Sequence, residues 1–451
     1  MKRIQNDTES NALGKVAGSF RKFLQLESSS GILLLAALAI ALAWANSPWS
    51  EAYFHILELP FGIQAGGFAY SHSLHHWIND GLMTLFFFVV GLEIKREVVA
   101  GELASVRRAA FPMIAALGGM LVPALIYSAF NHGHEGARGW GIPMATDIPF
   151  ALGILALLGN RVPNSLKVFL MALAIIDDLG SILVIAVFYT RDISWPGLGY
   201  ASAVLGALIV LGRCNVRRPL FYAALGLLLW FLLLRSGIHG TIAGVLVAWT
   251  IPSVSPINEK SFVSVCRGIL ARFEAASYKE ETPILNHERL DSVMELERAC
   301  EGVEPPLQRM EESLHPWTSY LILPLFALAN AGVRIDASLL HSIWDRAGIG
   351  IFLGLVIGKP LGIFLASWAA LALGFPALTG GVRMRHILGA GMLGGIGFTM
   401  SIFVSGLAFG DNGLLDAAKV TVFLASLTSG VSGWAFLRMI PIQGEIDENE
   451  G

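Results

Sequence analysis

Charged side chains are scarce in this sequence. Asp, Glu, Lys and Arg make up 14% of its 451 residues, against roughly a quarter in ordinary soluble domains. Apolar residues make up 54%, and the mean hydropathy is +0.62. A water-soluble core cannot absorb that much apolar chain, so the solvent of this fold is a bilayer. Cysteine is nearly missing: Cys214, Cys266 and Cys300 show no metal-ligand spacing and are expected to face the cytoplasm, where thiols stay reduced. A disulfide framework is therefore not expected. Single-sign charge is missing as well, and a net charge of −3 points to neither nucleic acid nor a polyanionic partner. There is no P-loop, no G-x-S-x-G elbow and no H-E-x-x-H, which argues against ATP-driven transport and against those hydrolase classes. His132-Gly-His-Glu135 lacks a third ligand at metal spacing, and no cofactor is expected. Residues 1–30 are polar and mixed in charge, with no convincing cleavage site after the first apolar run, so they read as a tail and not as a cleaved signal.

What is present is a series of long apolar runs. About twelve have the length to cross a bilayer: 31–48, 76–93, 109–130, 143–159, 166–189, 196–212, 219–235, 237–251, 317–333, 347–373, 386–409 and 416–438. The predicted fold class is thus an all-α polytopic membrane protein. With the first tail inside, 24 of the 31 Lys and Arg residues fall in inside segments and five in outside loops. That asymmetry places both termini in the cytoplasm. The chain divides into a cytoplasmic tail (1–30), eight spans (31–251), a long cytoplasmic loop (252–316), four spans (317–438) and a second tail (439–451). The outside segment 52–75 suits two short strands around a glycine turn. The loop 252–316 reads as a cap of short helices, with Leu290, Val293, Met294 and Glu297 at helical spacing and Pro305-Pro306 as a break. Two spans look interrupted, the fourth by Pro143, Thr146 and Pro149 and the eleventh by Gly394-Gly395-Ile-Gly397. Broken helices in corresponding positions of two halves mark the substrate site of many transporters.

The chemistry lies in the few charges left inside the spans. Asp177 and Asp178 stand side by side in the middle of the fifth. Each costs about 2.5–3.5 kcal/mol at a helix centre even on lenient scales, and structure alone rarely requires two. Asp147 follows Thr146 in the interrupted fourth span; it can bind a cation or neutralise a helix N-terminus, and Thr146 can offer oxygen or serve as a cap. Lys359 is the one basic residue deep in a span and needs a carboxylate partner, for which Asp177 and Asp178 are both candidates. Nearer the membrane edges, Asp80 is placed to guard an outside entrance or to cap a helix. Glu93, Lys95, Arg96 and Glu97 lie at the inside end of the second span, with Glu311, Glu312 and His315 approaching from the loop and His239 grouped with them. Around His315 such a cluster can sense pH, because histidine ordinarily titrates near pH 6.5.

Several stretches are specific enough to resemble a known family. Ala145-Thr-Asp-Ile-Pro-Phe-Ala-Leu-Gly153, Phe169-Leu-Met-Ala-Leu-Ala-Ile-Ile-Asp-Asp-Leu-Gly180, Gly358-Lys-Pro-Leu-Gly362 and Gly395-Ile-Gly-Phe-Thr-Met-Ser401 closely resemble the bacterial NhaA-type sodium/proton antiporters. Val90-Gly-Leu-Glu-Ile-Lys-Arg-Glu97 and His315-Pro-Trp317 do so too, and the resemblance runs in order from about residue 25 to 440. It implies twelve helices in which spans three to five and ten to twelve form inverted repeats, with spans four and eleven crossing as unwound helices. It implies that Asp178 is the principal cation ligand, with Asp177 beside it and paired to Lys359 when no cation is bound. Thr146 and Asp147 match residues at the crossing; His239, Glu93, Glu311 and His315 match a cytoplasmic pH-response region. The outside hairpin would mediate a homodimer. The chain departs from the pattern in its longer inside loop and in Glu312, where the pH-response region can have histidine.

The expected activity is electrogenic export of sodium or lithium in exchange for protons across a bacterial inner membrane, serving sodium and pH homeostasis. Sodium and protons compete for one dianionic site, and coupled carboxylates load protons in steps. Two other classes fit less well. An intramembrane aspartyl protease needs its acids on separate helices, and a passive cation channel favours a ring of repeated ligands. Flux measured with and without a pH gradient separates channel from antiporter.

Overall fold

The computed structural model describes residues 29–65, 68–190, 193–254, 259–275, 287–375, 381–410 and 413–441. Among them the chain is almost wholly helical. The tails 1–28 and 442–451 lie outside the described residues, as do parts of the long loop.

Among the described residues, five helices are individually long and apolar enough to cross a membrane: Val106–Asn131, Asn164–Phe188, Trp195–Arg213, Arg346–Ala372 and Leu414–Met439. Three bent pairs raise that to eight if each pair is one span, and Pro219–Arg235 and Thr241–Thr250 are shorter apolar helices. At ten residues, Thr241–Thr250 reaches only about 15 Å and does not cross a hydrocarbon core by itself. The first pair, Ser29–Ala45 with Ser50–Glu58, turns through 112° and leads into the antiparallel strands Pro60–Ala65 and Phe68–Ser73, with Pro60 opposite Ser73. The Ser50–Glu58 helix was not foreseen.

The other two bent pairs are the interrupted spans. Glu135–Met144, a 3₁₀ helix, meets the α-helix Ile148–Leu157 at 44°, and Met384–Gly394 meets Phe398–Phe409 at 50°. Pro149 cannot donate to a continuing helix, and Gly395 and Gly397 carry little penalty for leaving one, so the breaks fall at 145–147 and 395–397. The two breaks touch: the Asp147 amide donates to the Ile396 carbonyl at 2.7 Å.

Three stretches widen to π-helix, Trp77–Leu82, Thr318–Ile322 and Gly354–Gly358. Pro324 and Pro360 follow the last two closely, and each deprives the preceding turn of an amide donor. Lys359 therefore opens its helix directly after a π segment. That helix, Lys359–Ala372, presses against Val106–Asn131 where Gly118 faces Gly362. A Cβ on either glycine would collide with the other's carbonyl group, so only glycine permits the approach.

The long loop holds helices Glu259–Ala275 and His287–Val303, joined by an Arg272–Glu295 ion pair, then Pro306–Trp317. The Leu307 amide donates to the Pro252 carbonyl at 3.2 Å, so the two roots of the loop lie together.

Candidate functional site

The acid pair occupies the middle of the uninterrupted helix Asn164–Phe188, and both residues are buried. Successive side chains on a helix diverge by about 100°, and here they enter different surroundings. Asp177 faces the breaks: its Oδ2 accepts from the Lys359 ammonium and from the Thr146 hydroxyl at 2.7 Å. Asp178 instead lines a cavity of about 520 Å³. The geometry thus resolves which acid pairs with Lys359: it is Asp177.

Lys359 also donates to the Met144 carbonyl, at the C-terminal end of the 3₁₀ half of the first broken span. Asp147 accepts through Oδ2 from both the amide and the hydroxyl of Thr399, in the first turn of Phe398–Phe409. The amide bond is 3.0 Å. A positive group meets a helix C-terminus and a negative group meets a helix N-terminus, so the two charges compensate the partial charges that the breaks expose. Asp147 is therefore a helix cap. Its other oxygen remains free, and the residue lines the same cavity as Asp178. Thr146 ties the breaks together as well, since its hydroxyl lies 2.9 Å from the Gly394 carbonyl. With one hydrogen for two acceptors, that hydroxyl satisfies Gly394 or Asp177 but not both at once.

One oxygen of each of the three aspartates, Asp147 Oδ1, Asp177 Oδ1 and Asp178 Oδ1, is buried without a hydrogen-bond partner. Buried carboxylate oxygens are ordinarily satisfied, and leaving one unpaired is costly. Asp147 and Asp178 line the cavity and Asp177 adjoins Asp178, so the three present hard oxygen donors suited to a hard cation or to protons.

The cavity runs from this centre past Val90 to Glu93 and His315. Near its mouth Arg96 pairs with Glu311 at 2.7 Å and with Glu97 at 3.1 Å, while Glu97 also accepts from the Glu102 amide. Burial pushes the Glu311 carboxyl up from its ordinary range, opposed by Arg96 and reinforced by Glu97 and Glu312. Burial and the Arg96 charge push the His315 imidazole down from its usual 6.5. Glu312 meets Gln308 at 2.9 Å. Lys95 turns away from this cluster: it donates to the Trp249 carbonyl at 2.6 Å and to that of Ile251, capping the end of Thr241–Thr250.

His239 does not join the cluster in which the resemblance placed it. Its Nε2 lies 3.2 Å from Asp80 Oδ1, and His76 Nδ1 lies 3.2 Å from Asp80 Oδ2. Asp80 and Glu93 are thirteen residues apart on continuous helix, about 20 Å along the axis. Helices Met83–Ala100 and Thr241–Thr250 run side by side in the same direction, with Asp80 beside His239 and Lys95 beside Ile251. Position 239 precedes its helix and thus falls at the Asp80 end. Asp80 itself is nearly buried between the two imidazoles.

A bundle of apolar spans with carboxylates and one lysine gathered at two touching helix breaks defines a polytopic membrane protein of the transporter class. Comparison with known proteins narrows the class. The sequence model of the family described as Na+/H+ antiporter 1 matches residues 21–437, and this chain belongs to that family. It is 48% identical to the Na(+)/H(+) antiporter NhaA of Oleidesulfovibrio alaskensis, over 95% of each chain. It is 46% identical to the Na(+)/H(+) antiporter NhaA of Wolinella succinogenes over 96% of each. To Na(+)/H(+) antiporter NhaA 1 of Saccharophagus degradans it is 45% identical, over 94% of this chain and 92% of the other.

Proposed function

We propose that this chain exports sodium, and lithium in its place, in exchange for protons across a bacterial inner membrane, moving net charge in each cycle. The observation that carries the reading is the set of unpartnered carboxylate oxygens of Asp147, Asp177 and Asp178, two of these residues on the cavity wall and the third, Asp177, held by Lys359 beside it. Asp178 is the principal cation ligand, because it faces the cavity and no ammonium competes for it. Asp177 becomes the second ligand when Lys359 releases it, and Thr146 and the free oxygen of Asp147 complete an all-oxygen site. Protons arriving at the same carboxylates discharge the cation, so each species is carried only when the other has left. Lys359 returning to Asp177 fills the place of the departed cation.

Spans three to five and ten to twelve act as inverted repeats whose broken helices cross at this centre, within a twelve-helix fold having both termini in the cytoplasm. The cavity then opens to the cytoplasm, with Glu93, Glu311 and His315 at its entrance, and Asp80, His76 and His239 lie at the outer face. The outer hairpin, where Phe61 is exposed, offers its strand edges to a second copy of the chain in a homodimer.

The test is sodium addition to vesicles that hold a proton gradient, from about pH 6 to 9. Sodium is expected to collapse the gradient in proportion to the protein present, and a potassium control is not. Sodium flux that ignores the pH gradient would favour a channel.

A further inference from the structure

We infer that Ser181 supplies a further oxygen to the cation's route, immediately beyond the acid pair and on its closed side. The inference rests on the exchange reading above and extends the ligand set by a residue outside it.

Most hydroxyls within these helices fold back onto the carbonyl three or four residues earlier, with Ser367 and Ser429 left unpartnered on helices other than that of the acid pair. Ser405 donates to Ser401 at 2.7 Å, Thr421 to Ala417 at 2.8 Å, Thr428 to Leu424 at 2.7 Å and Ser202 to Leu198 at 2.8 Å. That bond is the ordinary solution for a hydroxyl in an apolar helix. For Ser181 the matching acceptor is the carbonyl of Asp177, yet its Oγ makes no hydrogen bond, although the residue is only 3% exposed. A buried hydroxyl left open is costly unless something else satisfies it.

Its position indicates what that is. Ser181 stands three residues after Asp178 and four after Asp177 in an unbroken α-helix. At about 100° per residue it projects angularly between the two acids, one turn further along, with Cβ atoms about 5–6 Å away. Ligand oxygens sit about 2.3–2.6 Å from a hard cation such as calcium, so those on opposite sides of one ion are up to about 5 Å apart. The Ser181 hydroxyl is thus within reach of a cation that leaves Asp178 on the cavity wall. The direction is also fixed: this helix contributes Lys167, Val168, Met171 and Asp178 to the cavity wall, all on the near side of the pair or at it. Ser181 lies past them, where a cation goes once the site opens the other way.

A neutral hydroxyl adds an oxygen without adding a proton carrier. It should therefore tune cation affinity, and the preference between sodium and lithium, while leaving proton coupling unchanged. Ser181→Ala and Ser181→Thr, reconstituted beside the unaltered chain, are measured for half-saturation by sodium and by lithium, for pH profile and for thermal stability. The alanine variant is expected to raise half-saturation for sodium about threefold to tenfold and to move the sodium-to-lithium ratio. Its pH profile and melting temperature should stay in place, and threonine, which keeps the hydroxyl, should restore affinity. Unchanged half-saturation for both ions in the alanine variant would overturn the inference. So would a lower maximal rate and melting temperature at unchanged half-saturation, which would make Ser181 a packing residue. If the unaltered chain moves no protons on sodium addition, the exchange reading itself fails and this one falls with it.

Discussion

At the scale of single residues, Asp177 and Lys359 divide labour that the sequence left open. Two adjacent acids and one lysine were legible as an ionic centre because charge is expensive in a span. From the residues alone the partner choice was not legible, since Lys359 reaches its acid across 182 positions of chain; the resemblance implied Asp177. If the lysine compensates Asp177, Lys359→Gln leaves a buried carboxylate without its ammonium, and a proton takes that place more readily. Apparent sodium affinity should then fall at neutral pH and recover as pH rises. The melting temperature should fall too, because removing one partner of a buried pair costs about 3–5 kcal/mol. Flux titrations and thermal melts of the variant check both expectations, and no change in either would refute the pairing. The entrance histidine gives a second residue-scale prediction. His315 is pushed below its usual 6.5, so it is mostly neutral at that pH and gains its charge below it. A depressed histidine contributes stability that is present above its ordinary value and is lost as pH falls through the shifted one. Glu311 is shifted the other way, and its contribution is lost as pH rises from its ordinary 4.5 through the raised value. His315→Gln should therefore leave exchange unchanged above about pH 7 and alter only the acid limb of the profile. An altered alkaline limb would show that His315 acts there by another route. His239 carries a related lesson. The chain's own span pattern already set position 239 at the outer end, and grouping residues by a shared pH response ignored where they lie.

At the scale of elements, the breaks were readable because proline and paired glycines leave few helical options, and they fall at 145–147 and 395–397. The π segments were not readable. Two of them reflect where a missing proline amide is accommodated, which depends on neighbouring helices as much as on the proline, and Trp77–Leu82 has no proline to announce it. The Ser50–Glu58 helix escaped notice because nine residues are too few to register as a span and lie mostly within the segment read as an outside hairpin. Close helix contact supplies the element-scale prediction. Gly362 meets Gly118 directly, whereas a Cβ added at Gly406 would find nothing within 4 Å. Gly362→Ala should push the Lys359 helix from its neighbour, cost about 1–3 kcal/mol by overpacking and slow transport with it. Gly406→Ala should be neutral, or stabilising by about 0.5–1 kcal/mol. Thermal melts of the two purified variants compare them directly; equal melting temperatures would mean that the glycine contact does not position Lys359.

At the scale of the whole molecule, transport is assigned to the spans and the long loop is left outside it. The loop's roots are already joined by the Leu307–Pro252 backbone bond, so removing residues 258–305 leaves short ends that can meet. Glu311 and His315 stay in place in such a deletion. Sodium-driven proton movement should survive it, with any change confined to the pH response; loss of all activity in a correctly inserted deletion protein would make the loop part of the machinery. The central claim is narrower, namely that sodium and protons exclude one another at Asp177 and Asp178. The direct measurement is proton release from the purified, detergent-solubilised protein on sodium addition, at a series of pH values and without any membrane gradient. The account predicts that sodium expels protons, that its apparent affinity tightens as pH rises, and that Asp178→Asn abolishes the release. Sodium binding with the same affinity at every pH and no proton release would contradict it.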